Sequence, residues 1–290
     1  MLLLGGGERA SRGLVQSFDR VADQYDATRG LPPAVSARVS AEMAAQLRAF
    51  APIPRVLEVG IGTGRIAVPL ERAGAKVFGI DVAPQMLAQL RAKSPDLPVV
   101  RAVADGLPFA RESFDAALFV HILHLVPDAR AALRAAASCL RPRGVLLLGL
   151  TDYGESARRT VTRWIGELTR ELAGIELPSP DWNTTTRAAF RAVAAELGST
   201  VTATALASWD ESRTGRQILD GLRGRLYSSF WRIPEAVMPE LVRRLTPRVE
   251  EFCGGLDQPI SSEATFVLEA CPVGAPGNRA EAVRSARLEP

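Results

Sequence analysis

The chain reads Glu-Val-Gly-Ile-Gly-Thr-Gly over residues 58–64, and this stretch decides the fold. It begins inside a short apolar run at 56–59 and leads into a helical pattern over about 65–73. Glycines between a strand and a helix let the backbone turn sharply and let a ligand approach the main chain closely. The stretch therefore predicts a ligand-binding turn at the carboxyl end of a strand.

The spacing of the three glycines narrows the kind of ligand. A dinucleotide fingerprint needs its last glycine where this chain has Arg65, which argues against NAD or FAD. No Gly-Lys-Ser/Thr sequence follows, so a phosphate-binding P-loop is excluded. A nicotinamide dehydrogenase is disfavoured for the same reason, and no hydride partner is visible in the sequence.

Apolar runs alternate with helical patterns through the first half of the chain. The other predicted strands are 77–80, 99–103, 114–120 and 145–150, and the predicted helices are 33–50, 65–73, one from Pro84 and 128–141. Strands that alternate with helices imply right-handed crossovers and a parallel sheet covered on both faces. We expect a doubly wound α/β fold.

Beyond residue 151 the pattern is mostly helical. Helices are predicted at about 155–173, 184–197, 214–229 and 234–253, with strands at about 200–207 and 264–270. We interpret the helices within about 152–182 and 210–257 as insertions that cover one end of the sheet. Residues 14–271 are predicted to be one domain, between flexible segments at 1–13 and 272–290.

Composition limits the kinds of partner and compartment. The 290 residues carry a net charge of +3, too mild and scattered for a nucleic-acid surface. No apolar stretch approaches the roughly 18–20 residues that cross a bilayer. Three widely spaced cysteines favour reduced thiols over disulfides or a metal site. We expect a cytoplasmic protein that binds no nucleic acid, membrane or metal.

Two aspartates follow predicted strands. Asp81 ends the second strand, where its carboxylate can accept hydrogen bonds from both hydroxyls of a ribose. The alternative is an aspartate that caps the helix near Pro84. Asp105 follows the third strand and can accept from an exocyclic amine, although Asp-Gly is also an ordinary turn sequence.

Together these motifs resemble the class I S-adenosylmethionine-dependent methyltransferases. The similarity is greatest to the type 11 branch of small-molecule enzymes, which includes ubiquinone- and menaquinone-type methyltransferases, and it covers about residues 18–151. Besides 58–64, the matching segments are 18–19, 25–26, 79–87, 105–109, 113–115 and 140–144. The resemblance implies a seven-stranded Rossmann-like sheet, S-adenosyl-L-methionine as cofactor, and methyl transfer as the activity.

The resemblance also implies cofactor roles for individual residues. Around the methionine and ribose we expect Glu58, Gly60, Gly62, Gly64 and Asp81, with Phe119 and His121 at the methionine end. Around the adenine we expect Val82, Met86, Asp105, Gly106 and Leu107. Tyr25 is expected to close over the site.

The two histidines of the chain, His121 and His124, follow the fourth strand. Either is a candidate general base near neutral pH, and His124 is favoured because His121 is expected on the cofactor side. The alternative is a structural hydrogen bond with no role in proton transfer.

Tyr25, Trp182, Tyr227 and Trp231 are candidates to line an apolar acceptor pocket, although the residue type of each favours a position in the core. Arg29 and Arg232 are candidates to bind an acidic acceptor or are simply solvated. Enzymes that methylate nucleobase or glutamine amides usually carry an Asn/Asp-Pro-Pro-Phe/Tyr tetrad, which residues 119–122, Phe-Val-His-Ile, do not match.

The expected partner is therefore a small, partly apolar molecule that accepts a methyl group on oxygen, nitrogen or carbon by in-line displacement. The alternative is a protein that binds the cofactor and acts as a regulator or scaffold without turnover. A monomer and a homodimer both remain open.

Overall fold

The computed structural model describes residues 17–154, 156–178 and 182–274. The predicted flexible segment 1–13 and residues 275–290 of the predicted tail lie outside these residues. Within the described part of the chain, no helix combines the length and the hydropathy needed to cross a membrane.

Seven strands form one sheet. They are β1 (Arg55–Val59), β2 (Lys76–Asp81), β3 (Val99–Arg101), β4 (Phe114–Val120), β5 (Leu140–Asp152), β6 (Thr202–Thr214) and β7 (Pro259–Pro272). The spatial order is β3-β2-β1-β4-β5-β7-β6. Strands β1 to β5 are parallel, whereas β7 runs antiparallel to both β5 and β6. The predicted doubly wound, mostly parallel α/β sheet is confirmed.

The helices are α1 (Tyr25–Arg29), α2 (Pro33–Leu47), α3 (Ala67–Arg72), α4 (Pro84–Lys93), α5 (Ala129–Ser138), α6 (Ala157–Ala173), α7 (Trp182–Glu196), α8 (Gly215–Arg223) and α9 (Met238–Cys253). Two 3-10 helices cover Asp19–Gln24 and Ser228–Arg232. Pro84 begins α4 at a position where its missing N–H is no loss. The Asp128 carboxylate caps α5 by accepting from the Ala131 N–H at 2.9 Å.

Apolar clusters cover both faces of the sheet. Side chains of α2, α3 and α4, such as Met43, Leu70 and Leu90, are buried on one face. Side chains of α5 and α7, such as Leu133 and Phe190, are buried on the other. Every residue of β4 is buried, because this strand lies between β1 and β5 in the middle of the sheet.

Helices α6, α8 and α9 share a separate apolar cluster, built around residues such as Ile165, Leu222 and Leu245. Helix α6 follows β5 in sequence, and α8 and α9 are inserted between β6 and β7. This helical layer lies beside the carboxyl ends of the parallel strands, because it shares a cavity with residues that follow β4 and β5.

Several predicted boundaries differ from the structure, and three of the differences have a clear physical reason. Strand β6 continues to Thr214, beyond the expected end at 207, because its polar second half pairs with residues 259–266 of β7. The helix expected over 214–229 ends at Arg223, since Arg225 adopts a left-handed conformation with φ of 49°. Strand β3 ends at Arg101, two residues early, where its pairing with β2 stops.

Candidate active site

The glycine turn after β1 adopts a conformation that other residues rarely reach. Gly60, Gly62 and Gly64 have φ of 75°, 56° and 78°. The N–H groups of Gly60 and Ile61 both donate to the carbonyl oxygen of Ile80 at 2.9 Å, which fixes the turn against β2. A side chain at 64 would also meet Leu90, since an added Cβ would lie 2.3 Å from its Cδ1. The turn therefore requires glycine for both conformation and space.

Asp81 connects the glycine turn to α4. One carboxylate oxygen accepts from the Gly62 N–H and the other from the Ala83 N–H, each at 2.9 Å. Burial raises the pKa of Asp81, and these backbone hydrogen bonds counteract the increase. The helix-capping alternative and the ligand role are compatible, because each carboxylate oxygen can accept a second hydrogen bond.

Glu58 is a buried carboxylate beside this turn, with 3% of its surface exposed. Its Oε2 atom has no hydrogen-bond partner among the described residues. Burial raises the pKa of Glu58 to about 8, and the nearby charge of Arg65 limits the increase. A cationic ligand group at this position would supply the partner that Oε2 lacks and would favour the ionised form.

The residues predicted around an adenine follow β2 and β3. Met86 is buried with Ala83 and Ala22, and Val82 is half-buried. Asp105 and Gly106 are exposed, and Leu107 is half-buried. Because Asp81 pairs with Arg101 in the sheet, the turn after β3 lies at the same edge as the Asp81 carboxylate. The topology thus brings these residues together, and their contact with adenine stays a prediction.

The N-terminal helical segment packs across the same edge. Tyr25 and Phe18 pack on the Ala22, Ala83 and Met86 cluster, with their rings 5.8 Å apart in an edge-to-face arrangement. Asp26 accepts a hydrogen bond from the Thr63 hydroxyl at 2.5 Å and forms an ion pair with Lys93. Asp26 thus fastens α1 to the glycine turn and to α4.

His121 has a strained backbone, because its φ of 53° is uncommon for a residue other than glycine. Its Nε2 atom lies 3.2 Å from the hydroxyl of Thr151, which is the last residue but one of β5. Burial lowers the pKa of His121 well below its usual range, and the charges of Arg65 and neighbouring cationic groups lower it further. The ring is therefore neutral at pH 7.

Phe119 is fully buried in the core on the α5 and α7 face. Its side chain packs there rather than at the strand end. Any approach of Phe119 to a ligand would therefore involve its main chain, and its cofactor role stays a prediction.

His124 stacks on Trp182, with ring centroids 4.3 Å apart and an angle of 33° between the planes. His121 meets the same indole edge-on at 5.4 Å. His124 is exposed on the surface of a cleft. The walls of this cleft exclude water from the ring, and this desolvation together with the charge of Arg29 lowers the pKa of His124 to about 4. Both histidines are neutral hydrogen-bonding groups at neutral pH, and they are weak bases.

A cavity of about 990 Å³ adjoins the carboxyl ends of β4 and β5. We name it the acceptor cavity. Its walls come from α1, α6, α7, α8, the 228–232 helix and the second half of β6, and they include Tyr25, His121, His124, Trp182 and Tyr227. The sequence predicted these five residues for one site, and the structure brings them together.

Trp231 does not line the acceptor cavity within the described part of the chain. Its indole N–H donates to the Arg225 carbonyl oxygen at 2.7 Å, and its ring packs on Phe18 at 4.9 Å. Trp231 thus supports the N-terminal segment, which leaves its acceptor contact as a prediction without structural support.

Several cavity residues escaped the sequence analysis. Arg158 and Tyr153 follow β5, and Arg65, noticed only as the residue that breaks a dinucleotide fingerprint, also lines the cavity. Arg65 donates to the Arg29 carbonyl oxygen at 2.8 Å and lies close enough to Glu58 to affect its pKa. No local pattern in the sequence marked these residues as neighbours.

This sheet order, with a glycine turn after β1 and an acidic side chain at the end of β2, defines the Rossmann-like fold of class I methyltransferases. The family described as "Methyltransferase domain" matches residues 57–148. The resemblance inferred from the motifs is confirmed for this segment, which is similar to a methyltransferase domain.

Curated relatives support the same domain. A ubiquinone biosynthesis O-methyltransferase of Xanthomonas campestris is 39% identical over 115 residues, which are 38% of this chain and 48% of the relative. A demethylmenaquinone methyltransferase of Tropheryma whipplei is 35% identical over 133 residues, which are 45% of this chain and 56% of the relative. The chain thus spans about half the length of these relatives.

Solved structures share the fold. A protein of Bacillus halodurans, provisionally assigned as a methyltransferase, aligns with a TM-score of 0.50 at 16% identity over 81% of this chain and 99% of its own. A protein of Anabaena variabilis from an antibiotic biosynthesis pathway, provisionally assigned as a methyltransferase, aligns with a TM-score of 0.51 at 15% identity. The alignment covers 76% of this chain and 90% of that protein. These similarities concern the fold alone.

Proposed function

We propose that the protein is an S-adenosylmethionine-dependent methyltransferase that acts on a small, partly apolar molecule. One observation carries this proposal: a buried Glu58 with a partnerless oxygen lies beside a three-glycine turn that is held by Asp81. A ligand with a cationic amine next to a ribose would satisfy both carboxylates.

The residues present suit that cofactor. Glu58 would hold the amino group of its methionine part, and the remaining acceptor positions of Asp81 would hold the ribose hydroxyls. The glycine turn would let the main chain approach closely, because a Cβ at these positions is absent. Val82 and Met86 would pack on the adenine, and Asp105 would accept from its amine.

When bound, the cofactor would supply a methyl group on a sulfonium, and the neutral thioether that remains after transfer is a good leaving group. The work left to the protein is to align the acceptor atom, exclude water and, where needed, hold a proton. The acceptor cavity adjoins the end of β4, so an acceptor there would face the methionine side. His124 would accept a proton or a hydrogen bond from the acceptor, and its stacking on Trp182 would orient the ring.

An apolar acceptor is supported by the aromatic walls that Trp182 and Tyr227 give the cavity. The names of the curated relatives point the same way, since they refer to ubiquinone biosynthesis and to demethylmenaquinone. The proposal specifies the acceptor as a class of small, partly apolar molecules. The methylated atom of such a molecule can be oxygen, nitrogen or carbon.

The proposal is tested by calorimetric titration with S-adenosylmethionine and S-adenosylhomocysteine. We expect micromolar binding by the native protein, a loss of about tenfold or more in Asp81→Ala, and native affinity in Asp96→Ala, which removes the same charge from an exposed turn. NAD should not bind. A native protein that binds neither cofactor form at millimolar concentration would contradict the proposal. Binding without turnover across an acceptor panel would favour the regulatory or scaffold alternative.

A further inference from the structure

The acceptor cavity carries an excess of positive charge. Seven arginines and three carboxylates line it. Two of these carboxylates already face arginine: Glu211 pairs with Arg213 at 2.7 Å, and Asp152 lies 3.8 Å from Arg187. The third, Asp210, is exposed. Arg187 is also paired with the buried Glu269 at 2.6 Å, whereas Arg29 and Arg158 have no carboxylate partner among the described residues.

Two of these arginines each pack against the same aromatic ring. The guanidinium carbon of Arg29 lies 4.9 Å from the centre of the Tyr227 ring, and that of Arg158 lies 4.8 Å from the same centre. Arg158 also stacks on Tyr153 at 4.8 Å. Neither arginine pairs with a carboxylate among the described residues. Aromatic faces hold the two cations in place, but they do not neutralise them.

Arg29 has an unmet hydrogen-bonding group as well. Its Nη2 donates to the Leu226 carbonyl oxygen, whereas its buried Nη1 has no partner in the described residues. Burial lowers the pKa of Arg29, Tyr25 and Tyr227 counteract part of that decrease, and the like charges of Arg158 and Arg65 add to it. A buried guanidinium without a counter-charge is costly, and an anion that accepts from it would remove that cost.

We propose that Arg29 and Arg158 form a binding site for an oxyanion group of the methyl acceptor. A guanidinium presents a planar fork that suits the two oxygens of a carboxylate or a phosphate. Trp182, on another wall of the same cavity, would cover the apolar body of that molecule. The acceptor would then be a small aromatic or partly apolar acid. This assignment of the anion to the acceptor rests on the proposed function, whereas the anion site itself does not.

The test compares matched charged and neutral probes. Benzoate, phenyl phosphate and benzamide are titrated into the full chain, with and without saturating S-adenosylhomocysteine, at constant ionic strength. We expect at least one anion to bind about tenfold or more tightly than benzamide. Preference for benzoate or for phenyl phosphate identifies the oxyanion. Equal affinity for all three probes, or no binding of either anion up to tens of millimolar, would overturn the proposal.

Variants locate the site. Arg158→Gln should lose the preference for the anion, and Arg158→Lys should retain part of it, because lysine keeps the charge without the fork. Arg163→Gln is the matched control, since Arg163 is exposed on the same helix and does not line the acceptor cavity. An anion preference that survives in Arg158→Gln would place the site elsewhere and overturn the proposal.

A last comparison separates the acceptor from the cofactor, whose methionine part also carries a carboxylate. S-adenosylhomocysteine and 5′-methylthioadenosine, which lacks that carboxylate, are titrated into Arg158→Gln. Native affinity for both supports an acceptor site. Weaker binding of S-adenosylhomocysteine alone would assign Arg158 to the cofactor. If the native protein binds no S-adenosylhomocysteine, the proposed function fails, while the probe titrations without it still decide whether the anion site exists.

Discussion

The Thr63 hydroxyl donates a hydrogen bond to the Asp26 carboxylate at 2.5 Å, which joins the glycine turn to α1. The same N-terminal segment is held to α4 at two further points, because Asp19 accepts from the Gln85 N–H and Asp23 from the Gln89 amide, each at 2.8 Å. A ligand on the glycine turn would therefore leave more easily when the segment is loosened.

Removing this hydrogen bond should speed cofactor release. We expect S-adenosylhomocysteine to dissociate about fivefold faster from Thr63→Val, because one hydrogen bond contributes about 1 kcal/mol. Stopped-flow fluorescence measures the rate. Thr246→Val, which removes a hydroxyl bonded within α9, is the control. Equal dissociation rates in the native protein and Thr63→Val would show that the segment does not restrain the ligand.

Cofactor binding should release a proton from Glu58. With a pKa of about 8 this carboxyl is mostly protonated at pH 7, and a bound ammonium group would favour its ionised form. Calorimetry in buffers of different ionisation enthalpy should report about one proton released. The Glu58→Gln variant should release none. Heats that do not depend on the buffer in the native protein would contradict this role of Glu58.

Glu58 should also make the free protein less stable as pH rises. Its folded pKa of about 8 exceeds its ordinary 4.5, so the folded state binds more protons and the free energy of unfolding falls between these values. His121, with a lowered pKa, has the opposite effect, but only below about pH 6.5. Between pH 6.5 and 8 we expect a loss of about 2 kcal/mol by urea denaturation. The curve of Glu58→Gln should be nearly flat there.

Gly64→Ala should destabilise the protein more than Gly198→Ala. Both glycines have positive φ, 78° and 65°, so both substitutions carry the cost of a left-handed conformation, about 1 kcal/mol. Only Gly64 is crowded, by Leu90, whereas nothing lies within 4 Å of a Cβ at Gly198. Urea denaturation should show an additional loss of about 1–3 kcal/mol in Gly64→Ala. Equal losses would mean that Leu90 moves away freely.

His124→Ala should slow turnover and leave cofactor affinity unchanged. If His124 accepts a proton from the acceptor, kcat should fall by about a hundredfold. With a pKa of about 4 for His124, the native rate should not fall through its protonation above about pH 5. The measurement uses an acceptor from the screening panel, with the binding of S-adenosylhomocysteine as control. Native turnover in this variant would leave His124 with a structural role only.

The fold and half of the site could be predicted from the sequence because their signals are local. Buried parallel strands are continuous apolar runs, and a sharp turn between strand and helix demands glycine. Asp81 follows its strand directly, so its place at the sheet edge follows from the topology. The second half of β6 gave no such signal, because residues 208–214 are polar apart from Trp209 and become a strand only through pairing with β7.

The acceptor cavity could be predicted only in part. Arg29, Arg158 and Tyr227 come from three distant segments, and nothing near any one of them indicates that they meet. Aromatic character alone did not indicate which way Trp231 packs, and in the structure its ring packs on Phe18. Residue type indicates that a side chain packs, but the direction in which it packs depends on the tertiary fold.

The insertion between β6 and β7 begins and ends at paired residues, Thr214 and Pro259. Its helices α8 and α9 join α6 in an apolar cluster distinct from the two that cover the sheet. The pairing of β6 with β7 therefore holds the two ends of the insertion side by side. Replacing the insertion with another segment would cost little loop-closure entropy. Under the proposed function, replacing the insertion between β6 and β7 would change the acceptor preference, while the glycine turn and Asp81 stay the same.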